Sequence, residues 1–304
     1  MKLVVLAGGF GGARFARAVA ETVPHDEITI VGNVGDDAEI LGLHVSPDLD
    51  SILYALAGLG NEERGWGRRD ETWNALETVE TLGGETWFQL GDRDLGLHLV
   101  RTLALRAGEP LSVVTRRLAS SFGVDATLLP ATDDPLRTWV ETAAGEFSFQ
   151  QWYVGRGHRD EVTDLRYEGD ARAVPGVVEA LELADLIAIA PSNPYLSIGP
   201  ILAVDGIRSA LRRRRAPAVA VSPLIGGRTI KGPADAMLAR FAGGTSPAHV
   251  AGCYQGLIDA LVLDEADDSG DLGVTPVVTR TLMNDAAARR RVAEAAFEAA
   301  AVRR

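Results

Sequence analysis

Four aspartates near the start of the chain form its densest group of carboxylates: Asp36, Asp37, Asp48 and Asp50. Like charges crowded into neighbouring loops repel each other unless a cation or a proton compensates them. Carboxylate oxygens suit Mg²⁺, which takes one or two of them and completes its shell with water and substrate phosphates. The group therefore suits a Mg²⁺ site. Caps and turns would use the same residue types, with Asp50 capping a helix and Asp48 in a turn.

A glycine-rich segment follows the first apolar run, residues 3–6. Its glycines are Gly8, Gly9, Gly11 and Gly12. Backbone without Cβ atoms can approach an anion closely, which favours a phosphate or nucleotide site over a simple strand-to-helix turn. No stretch supplies the Walker pattern, and a G-x-G-x-x-G fingerprint begun at Gly9 has Arg14 in place of its third glycine. Because the second strand also ends at Asn33 rather than near an acidic residue, a nicotinamide-dependent dehydrogenase is disfavoured.

Small polar residues follow two later apolar runs. Ser192 and Asn193 come directly after residues 186–190, and Ser222 comes after residues 218–221. Hydroxyl and amide groups at the carboxyl end of a strand, beside a helix N-terminus, are typical of sites that bind phosphate or other polar groups.

An α/β fold would position these groups together. Continuous apolar strands, each followed by a loop of small residues and a helical pattern, predict a parallel sheet covered by helices on both faces. The predicted strands are residues 3–6, 28–31, 186–190, 218–221 and 260–263. We therefore predict a Rossmann-like, three-layer α/β fold whose strand ends carry the candidate residues along one edge.

The middle of the chain departs from this alternation. Helical spacing predicts an added helical layer over about 60–125, in which Pro110 suits a first helical turn. The predicted helices are residues 72–82, 95–106 and 111–122. The charged segment 91–94, on its spacing alone, reads as a capped helix start with a local ion pair.

Residues 131–174 are predicted to form a small insertion beside the sheet. Residues 138–142 and 146–154 have the pattern of a β-hairpin, with aromatic side chains on it. Residues 1–130 and 175–304 would then form the main domain, which ends in a helix over 284–304.

Composition excludes several other classes of protein. The 304 residues carry 30 basic and 42 acidic side chains, a net charge of −12, which argues against a nucleic-acid partner because such binding needs a basic surface. No apolar run approaches the roughly 20 residues that span a bilayer, and no secretory signal pattern opens the chain. The single cysteine, Cys253, fits a reducing cytoplasm. Only Lys2 and Lys231 among the basic residues are lysines, and Lys231 is interpreted as a solvated loop residue.

Several short motifs occur together in one order along the chain. They are residues 6–14 (LAGGFGGAR), 35–37 (GDD), 46–50 (SPDLD), 90–94 (LGDRD), 190–194 (APSNP), 197–200 (SIGP) and 221–225 (VSPLI). Together they resemble the 2-phospho-L-lactate transferase family of coenzyme F-420 biosynthesis, over nearly the whole chain to about Asp267. Residues 65–68 (GWGR), 71–75 (ETWNA) and 87–88 (WF) resemble its bacterial branch, in which phosphoenolpyruvate replaces 2-phospholactate.

The resemblance implies a Mg²⁺-dependent transferase. It would move a phosphoenolpyruvyl or 2-phospho-L-lactyl group from a guanosine-diphosphate-linked donor to the ribityl hydroxyl of the deazaflavin Fo. GMP would leave, and the product would be dehydro coenzyme F-420-0 or F-420-0. A cytoplasmic homodimer without nucleic-acid or membrane partners is the expected form.

The resemblance also implies roles for individual residues. Asp50 matches a deazaflavin contact and, with Asp36 or Asp37, is the expected metal site, so that Asp50 and Asp36 are the candidate catalytic residues. The other candidate substrate-binding residues are Gly8, Gly9, Gly11, Gly12, Asn33, Gln89, Asp92, Arg93, Ser192, Asn193, Ser197 and Ser222. Gln89 departs from some archaeal members, which have a basic residue at that position.

A non-catalytic regulatory protein that binds nucleotide sugars is the alternative, because a related family with a similar glycine-rich opening binds such ligands. Residues 46–50 favour the transferase.

Overall fold

The computed structural model describes residues 1–61 and 63–301, in which helices and strands alternate around one parallel sheet. The strands are β1 (Leu3–Ala7), β2 (Ile28–Gly32), β3 (Ala38–Ile40), β4 (Leu43–Val45), β5 (Thr127–Pro130), β6 (Arg137–Thr142), β7 (Gly145–Ser148), β8 (Val162–Glu168), β9 (Leu186–Ile189), β10 (Ala218–Val221), β11 (Leu224–Ile225), β12 (Arg228–Thr229), β13 (Ala260–Asp264) and β14 (Thr275–Thr279). The α-helices are α1 (Gly9–Ala20), α2 (Pro47–Leu56), α3 (Asn74–Thr81), α4 (Asp92–Arg106), α5 (Leu111–Ser121), α6 (Val177–Leu183), α7 (Gly199–Ala203), α8 (Ile207–Arg213), α9 (Ala234–Phe241), α10 (Pro247–Cys253) and α11 (Ala286–Ala301).

The central sheet confirms the predicted Rossmann-like α/β class. Its order is β14-β13-β10-β9-β1-β2-β5, and each neighbouring pair is parallel. Every residue of β1, β9 and β10 is buried, because helices cover both faces of the sheet. The predicted strands at 3–6, 28–31, 186–190, 218–221 and 260–263 are all present within one residue.

The two outermost strands were not predicted. β5 ends in Pro130 and β14 contains Pro276. A proline cannot donate a ladder hydrogen bond and so disfavours a strand in sequence, but an edge strand tolerates it. Both strands indeed lie at the edges of the sheet.

The sheet reverses its winding direction between β1 and β9. From β1 the chain adds β2 and β5 on one side, whereas the later strands β9, β10, β13 and β14 extend the other side. The carboxyl ends of β1 and β9 therefore flank a topological switch point, where open α/β sheets usually bind their ligands.

The three helices predicted for the middle of the chain are present as α3, α4 and α5. Helix α4 begins at Asp92, three residues before its predicted start. The final helix is α11, and residues 302–304 of the predicted 284–304 helix lie outside the described residues. Within the described part of the chain, no helix is long and apolar enough to cross a membrane.

The small antiparallel sheet lies within residues 131–174 and corrects the predicted hairpin. It has three strands in the order β7-β6-β8. The expected strand 146–154 ends at Ser148, and the chain continues into the helical turn Gln151–Gly155. Phe149, Trp152 and Tyr153 are three and four residues apart, so that a helical turn brings their rings together and buries Trp152.

Candidate functional site

A cavity of about 630 Å³ opens at the carboxyl edge of the sheet, over the switch point between β1 and β9. Its floor comes from the loop after β1 and from Pro191 and Ser192 after β9. Helices α2 and α4 supply one wall, and the helical turn after β7 supplies part of another. The predicted residues that line it are Gly8, Gly9, Gly11, Asp36, Asp50, Gln89, Ser192, Asn193, Ser197 and Ser222.

The glycine segment forms the first turn of α1 rather than a separate loop. Gly9 opens the helix with a φ of +65°, a left-handed conformation that favours glycine. The Ser192 hydroxyl accepts a hydrogen bond from the Gly8 N–H at 3.2 Å and donates one to the Gly8 carbonyl at 2.7 Å. A Cβ at Gly11 would collide with the carbonyl oxygen of Pro191. The glycines therefore let the N-terminus of α1 pack directly against the loop after β9, at the floor of the cavity.

Gly12 and Asn33 support the site without lining the cavity. Gly12 is buried in α1, where an added Cβ would lie 2.6 Å from the Ser192 hydroxyl. Asn33 is fully buried, and its side-chain oxygen accepts a hydrogen bond from the Gly35 N–H at 2.8 Å. The packing around these two positions shows that they support the site, and their predicted contacts with a ligand stay a prediction.

Asp36 and Asp48 form a buried carboxylate pair. The Asn33 side-chain nitrogen donates hydrogen bonds to both, to Asp36 at short range and to Asp48 at 3.0 Å. Both carboxylates line the cavity while being almost fully buried. Burial and the charge of Asp48 raise the pKa of Asp36 well above its usual range, and burial raises the pKa of Asp48 to about 6. The pair therefore holds more negative charge than its surroundings compensate.

The chemistry of this pair fits a divalent cation, and the predicted set of Asp36, Asp37 and Asp50 stays a prediction. Within residues 1–61 and 63–301, no three His, Cys, Asp or Glu side chains converge as a complete metal cage. Two carboxylates at the edge of a cavity match the usual Mg²⁺ arrangement, in which water and substrate phosphates provide the remaining ligands. Burial is the main cause of both raised pKa values, and a bound cation would lower them.

Asp37 and Asp50, the other two predicted metal ligands, are bound to other partners than the Asp36–Asp48 pair. Asp37 does not line the cavity; its carboxylate accepts a hydrogen bond from the Ser46 hydroxyl at 2.8 Å and lies 2.9 Å from His44. Asp50 lines the cavity, but both of its oxygens accept hydrogen bonds from Arg101. Helix α2 begins at Pro47, so Asp50 lies in its first turn rather than before it as a cap.

Three polar residues of α4 face α2 beneath this wall. Asp94, His98 and Arg101 are spaced four and three residues apart, which places them on one side of the helix. The Tyr54 hydroxyl donates to Asp94 at 2.6 Å, and burial raises the pKa of Asp94 to about 6. Burial lowers the pKa of His98 to about 4, so its imidazole is neutral at pH 7. Sequence reasoning missed this set, although the spacing of these polar residues on one side of a predicted helix was a signal.

Two of the predicted substrate-binding residues, Asp92 and Arg93, do not line the cavity. Asp92 accepts hydrogen bonds from the Thr72 hydroxyl at 2.6 Å and the Ala75 N–H at 3.0 Å, and these bonds hold its pKa at about 2. Arg93 is exposed. Asp92 therefore ties the start of α3 to the start of α4, whereas Gln89 does line the cavity.

Aromatic side chains form much of the remaining wall. Trp66, Trp87 and Phe88 line it from the helical layer, and Phe149 and Tyr153 line it from the turn after β7. The rings of Phe149 and Tyr153 stack with centroids 5.1 Å apart, while Trp66 is 46% exposed. Such flat apolar surfaces suit a flat aromatic ligand.

Polar residues of the loops after β9 and β10 also line the cavity. The Asn193 side-chain oxygen accepts hydrogen bonds from the Tyr195 N–H at 2.9 Å and the Leu196 N–H at 3.2 Å. The Ser222 hydroxyl accepts one from the Leu224 N–H at 3.2 Å. Both residues, with Ser197, line the cavity, and their contact with a substrate stays a prediction.

Comparisons with known proteins agree with this architecture. Residues 3–277 match the model of the family described as 2-phospho-L-lactate transferase CofD. The chain is 44% identical to a phosphoenolpyruvate transferase of Streptomyces griseus, over 88% of this chain and 86% of that protein. It is 41% identical to a phosphoenolpyruvate transferase of Mycolicibacterium smegmatis, over 99% of each. A crystal structure of a UPF0052 family member from Bacillus halodurans, 19% identical, has a TM-score of 0.65 over 98% of this chain and 100% of that one, which shows a shared fold.

Proposed function

The chain belongs to the 2-phospho-L-lactate transferase family, and from that premise we propose that it transfers a phosphoenolpyruvyl group from a guanosine-diphosphate-linked donor to the ribityl hydroxyl of the deazaflavin Fo. The hydroxyl oxygen bonds to the phosphorus that carries the acid, the phosphoanhydride bond breaks, and GMP leaves. The hydroxyl proton passes to solvent, and the product is dehydro coenzyme F-420-0. The names of relatives at 44% and 41% identity support phosphoenolpyruvate over 2-phospho-L-lactate as the transferred acid.

The buried Asp36–Asp48 pair beside the first turn of α1 is the observation that carries this proposal. Two adjacent carboxylates would repel a bare phosphate, but a divalent cation between them and the phosphate reverses that interaction. We therefore assign Asp36 and Asp48 as the side chains that hold Mg²⁺. When bound, the ion would neutralise phosphate oxygens, which is the main requirement of phosphoryl transfer together with positioning.

The other walls of the cavity suit the two substrates. The N-terminal turn of α1, with Ser197 and Ser222, provides hydrogen-bond donors for the phosphates of the guanosine-diphosphate-linked substrate. The aromatic wall would take the tricyclic ring of Fo, with Asp50 beside it. Because Arg101 hydrogen-bonds to both Asp50 oxygens, Asp50 is a poor base. We therefore assign Asp50 to holding Fo rather than to removing the hydroxyl proton.

Release of GMP tests the proposal directly. With Mg²⁺, Fo and guanylylated phosphoenolpyruvate, the wild-type protein is expected to release GMP only when Fo is present. Asp36→Asn should lower the rate on the order of 100-fold, because a cation of this kind contributes several kcal/mol to the transition state. Asp70→Asn, at an exposed position, is the matched control and should leave the rate unchanged. GMP release that ignores Fo, or a fully active Asp36→Asn, would contradict the proposal. The expected homodimer stays a prediction, which sedimentation analysis would test.

A further inference from the structure

Two positively charged side chains reach the cavity from distant segments. Arg14 comes from α1, and Lys231 comes from the loop between β12 and α9. Both contact the ring of Phe10: the Lys231 Nζ lies 4.6 Å from the ring centroid, and the Arg14 Cζ lies 4.3 Å from it. Arg14 also donates a hydrogen bond to the Met283 carbonyl at 3.1 Å.

Lys231 is an exposed loop residue, as interpreted from the sequence, but its amine is also held in place by the protein. Its Nζ donates to the Arg64 carbonyl oxygen at 2.6 Å. A Cβ at Gly65 would collide with the same nitrogen, so the backbone passes directly beside the amine. An ammonium group has three donors, and the Arg64 carbonyl takes one of them.

Both cations line the same cavity as the carboxylates of Asp36 and Asp48. Asp48 lies beside Gly8 and Gly9, at the start of α1, the helix that also carries Phe10 and Arg14. Burial and, to a lesser extent, the charge of Arg14 lower the pKa of Lys231.

We propose that Lys231 and Arg14 form an anion subsite that binds an acidic group of the donor, either its carboxylate or its guanylyl phosphate. The identity of the donor rests on the proposed function; the subsite rests on the placement of the two cations. Carboxylate and phosphate share the oxygen chemistry that an ammonium and a guanidinium recognise. A ligand that carries a diphosphate and a carboxylate would thus contact the cation held by Asp36 and Asp48 with one group and Lys231 with another.

Lysine labelling tests the subsite without relying on turnover. The chain has two lysines, and Lys2, exposed at the start of β1, is an internal reference. The protein is acetylated with and without guanosine, GMP, GDP, or guanylylated phosphoenolpyruvate, and the rate at each lysine is read by peptide mass spectrometry. Protection of Lys231 by GMP and GDP, without protection by guanosine, would assign the guanylyl phosphate. Protection by the guanylylated acid, without protection by GDP, would assign the carboxylate. Labelling of Lys231 that no ligand slows would overturn the subsite.

Kinetics of Lys231 variants provide the second test. Lys231→Met should raise the KM for the donor roughly 10- to 100-fold, the usual effect of losing a hydrogen bond to a charged group, and leave the KM for Fo unchanged. Lys231→Arg should restore most of the loss, and Lys2→Met is the matched control with wild-type kinetics. If the wild type releases GMP with Fo and Lys231→Met has the same donor KM, the subsite is wrong and the proposed function stands. If the wild type transfers nothing, the proposed function fails, and the labelling still decides the subsite.

Discussion

Asp48 and Asp50, two residues apart on α2, are expected to change stability in opposite directions when each is replaced by asparagine. Asp48 is a buried carboxylate next to Asp36, without a cationic partner among the described residues. Asp50 is equally buried, but it forms a bidentate ion pair with Arg101. Removing the first charge relieves repulsion, whereas removing the second leaves a buried guanidinium without its counter-charge.

The expected magnitudes follow from these environments. Burial raises the pKa of Asp48 from its ordinary value of 3.8 to about 6. The native protein therefore binds this proton more tightly than the unfolded chain, so stability falls as the pH rises from 3.8 to about 6. Above that range the ionised group costs the fold about 3 kcal/mol. Asp48→Asn should recover about 1 to 3 kcal/mol at pH 7.5, since its amide keeps only part of the hydrogen bonding. Asp50→Asn should lose about 3 to 5 kcal/mol.

Urea denaturation in the presence of a chelator measures both effects. At pH 7.5 the free energy of unfolding should be highest for Asp48→Asn, lower for the wild type and lowest for Asp50→Asn. At pH 5 about half of the gap between Asp48→Asn and the wild type should close. Added Mg²⁺ should stabilise the wild type and not Asp48→Asn, because a ligand that binds only the native state shifts unfolding by mass action. Equal destabilisation by both variants, or a gap that does not change with pH, would refute the reasoning.

Two further predictions concern packing around the site. Arg101→Met should lower the free energy of unfolding by about 3 to 5 kcal/mol, because it leaves Asp50 buried and unpaired, and adding Asp50→Asn should restore part of the loss in a urea-denaturation cycle. Gly11→Ala should lower kcat/KM for the donor roughly 100-fold in GMP-release assays, because its Cβ collides with the Pro191 carbonyl oxygen and displaces the first turn of α1. Gly96→Ala is the control on α4, where a Cβ meets open space; it should leave activity unchanged and raise stability by about 1 kcal/mol in thermal unfolding.

The sheet was predictable because the amino-acid composition of its central strands indicates that they are buried. A run such as Leu3–Ala7 is apolar at every position, and a fully buried parallel strand requires this pattern. The segment 146–154 shows the limit of such patterns. Its aromatic residues fit both a strand and a helical turn, and burial of Trp152 against Leu196 and Met237, distant in sequence, selects the turn.

The site was predictable as a region but not in its details. Four aspartates near two strand ends indicated where charge would gather, and the structure places three of them at the cavity. Their separate roles depend on Arg101, which α4 brings to Asp50 from 51 positions along the chain. No local pattern contains that contact. The position of Lys231 at the cavity likewise depends on contacts with Phe10 and Arg64, which are far away in sequence.

The product of the reaction tests the central claim most directly. Fo is incubated with the protein, Mg²⁺ and an equimolar mixture of guanylylated phosphoenolpyruvate, 2-phospho-L-lactate and 3-phosphoglycerate, and the deazaflavin products are identified by mass spectrometry. We expect the phosphoenolpyruvyl ester of Fo, dehydro coenzyme F-420-0, as the main product, with one GMP released for each molecule formed. Unmodified Fo with intact donors, or tight binding of a uridine-linked sugar without any response to Fo, would contradict the assignment of this chain as an Fo-modifying transferase.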